Sequence, residues 1–233
     1  MVDLKEEQQY EELRRLAQKL HIPIPEVFLE LEVRDKDGRV IQRHRQRSHS
    51  WVRNAYNLMI MQGAGINGNE SAVFGAGEVN IKLADGTVRQ SPRAANICDA
   101  DYDPEAVGFG YTAVAGWDTY GILVGSGTTA ESFEDYFLDT QIVDGTGAGE
   151  LSHIASETPS RSYADTTYSV DLVRYFNNNS GGNVDVNEVA LVTNGYYGGA
   201  HIWMQSRDKL GATVTVPSTG QLKVTYTVEL TYP

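Results

Sequence analysis

A chain of 233 residues with 41% hydrophobic residues can build one large β domain or two small ones, and it is too apolar for wholesale disorder. Its formal charge of −12 disfavours general binding to nucleic acid or to anionic membrane surfaces and favours solubility. The single cysteine, Cys98, excludes an internal disulfide and leaves either a plain thiol in a reducing compartment or a bridge between chains.

Composition leans towards β structure. There are 23 Gly to serve turns, and 13 Tyr outnumber 6 Phe and 3 Trp together, as suits half-buried strand faces. The first residues, Met1 to Glu7, hold no apolar core of a signal peptide. No run approaches the roughly 18 apolar residues of a membrane span. The expectation is a protein made in a cytoplasm that stays soluble or joins an assembly there.

Asp3 to Leu20 predicts a helix. Leu13, Leu16, Ala17 and Leu20 fall on one stripe, acids lie near its start and Arg14, Arg15 and Lys19 near its end, and Pro23 and Pro25 stop it. So narrow a stripe needs a partner surface, either its own domain or a neighbouring subunit. Val27, Leu29, Leu31 and Val33 alternate with Phe28, Glu30, Glu32 and Arg34, which predicts a strand with one buried face. Asp35 to Gly38 turns the chain, and Arg39 to Arg47 returns as its hairpin partner. Ser50 is placed to cap a second helix carrying Trp51, Val52, Ala55, Leu58, Met59 and Met61, which Gly63-Ala64-Gly65 ends.

A Gly/Asn-rich linker from Gly63 to Asn69 follows. Val79, Ile81 and Leu83 then alternate before Asp85-Gly86, a strong local hairpin signal, and Thr87-Val88 returns. Ala94 to Asp118 reads as an irregular insertion. Tyr120 to Val124 is a short apolar strand closed by Gly125-Ser126-Gly127, and Thr129 to Leu138 suggests a brief helical turn. Strands are predicted over Leu151–Glu157, Tyr168–Phe176, Val184–Val192, His201–Arg207, Thr213–Val216 and Gln221–Thr231. A loop is expected over Gly195–Gly199. Close spacing with turn residues between points to an antiparallel sandwich rather than βαβ units.

Arg43, His44, Arg45, Arg47, His49 and Arg53 form the only basic cluster in this acidic chain. Strand alternation puts Arg43, Arg45 and Arg47 on one face. That face could meet phosphates, the acidic surface of a like subunit, or simply solvent while neutralising Glu30 and Glu32 across the hairpin. Asp99, Asp101 and Asp103 alternate like the start of a calcium loop, but Pro104 and Gly110 stand where an EF-hand needs Gly and Glu, so they are weak metal candidates at most. The five histidines are scattered, with no metal-ligand spacing. Ser126 lies in Gly-Ser-Gly rather than a nucleophile elbow, and no phosphate-binding glycine motif occurs. No catalytic residue and no cofactor is assigned, so a non-enzymatic protein is expected. Asn69-Glu70-Ser71 and Asn178-Asn179-Ser180 match glycosylation sequons and read as polar turns.

The stretch Arg174-Tyr175-Phe176-Asn177-Asn178-Asn179-Ser180-Gly181-Gly182 through Glu188-Val189-Ala190-Leu191 resembles a pattern of structural proteins of tailed bacteriophages. There an aromatic-Asn-Asn-Ser-Gly turn leads into a strand, then an Arg-containing strand, here Ser206-Arg207-Asp208-Lys209-Leu210, then a closing strand, here Val216-Pro217 to Tyr226. Gly121 to Thr129 followed by Asp135-Tyr136 and Leu138, and Ser50-Trp51-Val52-Arg53-Asn54 before a helix, are similar to the same group. The resemblance runs from about Ser50 to the end, without the insertion. Ala190 stands where Gly is usual, and Ser218-Thr219 lengthen a turn.

The resemblance implies a virion part of the tail, neck or capsid shell. Its partners are other copies of itself and other virion proteins, with no membrane and with nucleic acid disfavoured. The expected fold is mainly β: an antiparallel β-sandwich, jelly-roll or Ig-like, with an N-terminal helix and one internal helix. Residues 1–62 are expected as an assembly arm and 63–233 as the sandwich, with the irregular insertion near 94–118. The subunit-interface candidates are Leu13, Leu16, Leu20, Arg43, Arg45 and Arg47. The alternative is a carbohydrate-binding β-sandwich recognising a host surface through Trp117, Tyr196, Tyr197 and Trp203.

Overall fold

The computed structural model describes residues 4–48, 50–64, 80–89, 97, 108–196 and 199–232. In chain order these form α1 (Leu4–Leu20), β1 (Ile24–Arg34), β2 (Val40–Arg47), α2 (Arg53–Ala64), β3 (Ile81–Lys82), β4 (Val88–Arg89) and β5 (Gly121–Gly125). There follow β6 (Ser152–His153), β7 (Ser160–Ala164), β8 (Thr167–Asn177), β9 (Val184–Tyr196), β10 (Ala200–Val216) and β11 (Gln221–Thr231). The protein is mainly β with antiparallel sheets and an N-terminal helix. A six-stranded sheet in the order β2-β1-β11-β8-β6, with β7 also on β8, faces a three-stranded sheet, β10-β9-β5.

Alternation explains the core. Val27, Leu29, Leu31 and Val33 of β1, with Leu222, Val224 and Tyr226 of β11 and Phe176 of β8, meet Ile122 and Val124 of β5, Val186, Val189 and Leu191 of β9, and Val214 and Val216 of β10. β1, β5, β8 and β11 contribute every second residue, and β9 changes step between Val186 and Val189 at the register shift against β10, so one face of each sheet packs into this core. Full burial of one such side chain stabilises the fold by about 1.5–3 kcal/mol. A second cluster, on the opposite face of β5 and β9, joins Val52, Ala113, Tyr120, Leu123, Leu138, Ala190, Val192 and Met204. Trp203 is fully buried with Met61, Ile81 and Leu83 beneath α2.

The boundary expected at 62/63 is not a structural one. β1 pairs along its whole length with β11, from Ile24 opposite Thr231 to Arg34 opposite Gln221. The first hairpin is therefore an integral edge of the larger sheet, and the first and last strands, β1 and β11, are neighbours in it.

The two sheets are joined along one margin by side chains. Gln42 of β2 donates to the Thr213 carbonyl (2.9 Å) and accepts from the Thr215 amide (3.0 Å). Gln46 donates to the Lys209 carbonyl (3.1 Å) and accepts from the Gly211 amide (3.2 Å). Each glutamine amide thus stands in for a missing strand beside β10.

Several local expectations are corrected. Thr129 to Leu138 is not helical, because long-range bonds described below hold it open. His201–Arg207 and Thr213–Val216 belong to one strand, β10, interrupted by register shifts between Met204 and Ser206 and between Lys209 and Val214. β9 runs on to Tyr196, where a loop was expected, and α2 starts at Arg53, three residues after Ser50. Of the predicted 151–157 strand, Ser152 and His153 form a ladder with β8 and Leu151 makes a single bridge to Asp144, and β7 was not foreseen. Asn178 is fully buried; its amide donates to the Gly182 and Val216 carbonyls (2.8 Å each), so this sequon is a structural turn.

Candidate functional site

The six interface candidates lie on α1 and β2. β2 places Arg43, Arg45 and Arg47 on the outer face of the larger sheet, opposite Glu32, Glu30 and Phe28 of β1. The three arginines have different environments. Arg43 is exposed and reaches Glu32 at 2.7 Å, as the cross-hairpin reading anticipated. Arg45 is exposed, with its guanidinium 4.8 Å from the Phe28 ring centre. Arg47 is 4% exposed and belongs to the fold: it pairs with Glu26 and with Glu7 of α1 (2.6 Å) and lies 3.8 Å from the Tyr10 ring centre. As an accessible subunit contact Arg47 is therefore corrected, since its charge is already spent on its own helix.

α1 is held to the sheet by a polar clasp. Arg14 donates to both oxygens of Glu26, at 2.6 and 2.9 Å. Glu7, Tyr10, Arg14 and Ala17 follow helical spacing and make up the inward face. The helix ends at His21, whose φ of 54° lets the Ile22 amide return to the Ala17 carbonyl at 3.0 Å. The hydrogen bond from Arg47 is the main cause of a lowered Glu7 pKa. Burial alone would raise Glu26, but the bonds from Arg14 and Arg47 outweigh it and hold that carboxyl below its usual range.

This clasp inverts the usual arrangement of a surface helix. Leu13, Leu16 and Leu20 are 47%, 44% and 65% exposed, about a quarter turn round the helix from the polar contacts. Nearby, Tyr10, Pro25, Val27, Trp51, Ala55, Tyr56, Met59 and Val228 line a cleft of about 220 Å3 with Arg47 in its wall. Tyr56, Met59 and Ile60 of α2 are at least half exposed. The charge cluster around Arg47 contains Arg14, Glu7 and Glu26, so the cleft offers an anion no unspent positive charge.

Two further arginines are structural. Arg174 is fully buried on the core side of β8 and donates to five carbonyls, those of Val114, Trp117, Tyr120, Ile122 and Ile154. Burial pushes its pKa down to about 10, with Tyr120, Asp144 and Asp118 acting against that shift. Arg207 binds Glu188 (2.7 Å), Asp135 (2.8 Å) and the Thr129 carbonyl (3.1 Å). Glu188 in turn accepts from the amides of Gly127, Asp139 and Thr140. These bonds fix the 126–140 loop through Asp135, Glu188 and Arg207.

Asp99, Asp101 and Asp103 lie outside the described residues, as do Cys98, His49 and Tyr197. Among the described residues no group of three or more His, Cys, Asp or Glu is placed to hold a metal ion. No described helix is long and apolar enough to cross a membrane. Of the aromatic residues considered for sugar stacking, Trp203 is sealed in the core, while Trp117 is half exposed and edge-on to Tyr120 at 5.7 Å. No family model, curated protein or solved structure matches this chain.

Proposed function

We propose that this chain is a non-enzymatic structural protein of a tailed-phage virion, made in the host cytoplasm and assembled as repeated copies in the tail, neck or capsid shell. One observation carries the reading. α1 is tied to its own sheet by Glu7, Arg14, Glu26 and Arg47 while Leu13, Leu16 and Leu20 face outward. A helix so arranged is fixed in place, and its apolar side is left for a neighbour. The latches at Arg174 and Arg207 support the same reading, since they stiffen loops that a repeated building part must present identically in every copy.

The test is location. Antibody against this chain should label purified particles at a regular set of positions, and mass spectrometry should find the chain in several copies per particle. Particles that contain none of it would overturn the reading. Replacing Leu13, Leu16 and Leu20 together by Ser should leave the soluble chain folded and lower its incorporation.

A further inference from the structure

We infer that α1 is a self-pairing element: the α1 helices of two copies lie antiparallel, leucine stripe against leucine stripe, about a twofold axis. The inference deepens the assembly reading by naming the partner, a second copy of this chain, and the surface.

The spacing on α1 is that of a coiled-coil seam. Gln9, Leu13, Leu16 and Leu20 follow one another at intervals of four, three and four residues. One flank of this seam carries Tyr10 and Ala17, which turn towards the chain's own sheet. The other flank carries Glu12 and Lys19, seven residues apart and both exposed. Neither has an ion-pair partner among the described residues.

That pair of charges selects both partner and direction. When two copies of a helix pack antiparallel, like flank meets like flank, so Glu12 of one faces Lys19 of the other, and the reverse pair forms by symmetry. Parallel packing would set Glu12 and Lys19 against the flank that holds Tyr10 and Ala17, which offers no charge. The midpoint of Glu12 and Lys19 lies beside Leu16, so the ion pairs and the leucine contacts share one centre. The body-facing flank is already fixed by the clasp, so the seam is presented without reorganisation. Three leucines a side make a small contact, well under the roughly 1,200 Å2 of a stable interface. It is weak between lone copies and gains strength where many are displayed together.

Sedimentation of the full chain between about 10 μM and 1 mM tests the pairing. A reversible dimer is expected, abolished by Leu16→Asp. Glu12→Lys alone, or Lys19→Glu alone, should weaken it about fivefold, because two attractions become two repulsions. The double variant E12K/K19E restores the pairs with the signs exchanged and should dimerise within about twofold of the unaltered chain. Equal helix content by circular dichroism separates lost pairing from lost folding. A wild-type chain that is monomeric throughout, or a double variant no better than the singles, overturns the inference. A monomeric chain that still labels particles would sink this contact while leaving the virion role standing.

Discussion

The carboxylate of Glu188 on β9 and the guanidinium of Arg207 on β10 form an ion pair of 2.7 Å with both side chains almost wholly out of water. The pair is satisfied on all sides, because Asp135 and the Thr129 carbonyl take the rest of Arg207 and three loop amides take the rest of Glu188. Removing the Glu188 charge leaves buried Arg207 with Asp135 as its remaining counter-ion and weakens three loop-amide bonds. Glu188→Gln should therefore cost about 2–3 kcal/mol in urea unfolding. It should also raise amide exchange in the 126–140 loop before the sheets open. A cost below about 1 kcal/mol would show that the loop is held by something else.

Arg174 allows a sharper comparison. Its planar fork reaches five carbonyls on three segments, which a lysine ammonium cannot span. Arg174→Lys keeps the charge and should still lose about 3 kcal/mol, with the first added flexibility between residues 114 and 122. Wild-type stability in this variant would mean that charge alone matters.

Acid should release α1 first. Glu7 and Glu26 have folded pKa values below those of the unfolded chain, so the clasp's contribution is complete above the ordinary carboxylate range and is lost as pH falls through the folded values. The Tyr10 ring, close against Arg47, reports this directly. Its NMR shifts should hold steady from neutral pH to about pH 5 and then move to those of a free helix. Shifts that stay fixed until the sheets themselves unfold would refute the sequence of events.

His153 gives a second pH window. It is 2% exposed, edge-on to Phe176 at 4.9 Å, and neither ring nitrogen finds a hydrogen-bond partner. Burial, helped by Arg174 and opposed by Asp144 and Asp118, pushes its pKa down to about 4. The unfolded chain then binds the extra proton first as pH drops, so stability is full above about pH 6.5 and declines towards pH 4. The total effect is on the order of 3 kcal/mol. His153→Phe should flatten this part of the stability curve, and an unchanged slope would place the proton elsewhere.

Much of the fold was legible because its signals are local. Alternation in β1 and the turns at Asp35–Gly38 and Asp85–Gly86 each rest on a few adjacent residues. β7 gave no such signal, since Ser160 to Ala164 are exposed on both faces and carry no alternation. The 129–138 loop depends on Arg207 and Glu188, far along the chain, and no periodicity within it could reveal that. The site divides in the same way. The leucine stripe and the arginine strand were visible as patterns. That Arg47 is sealed and the leucines face out follows from Arg14 meeting Glu26, a contact the spacing of neither element announces.

The glutamines of β2 have one more consequence. By occupying the main-chain groups of β10 at Lys209, Gly211, Thr213 and Thr215, they deny that margin to any foreign strand. Two copies that meet along this margin therefore find no free main-chain groups from which to build a continuous ribbon.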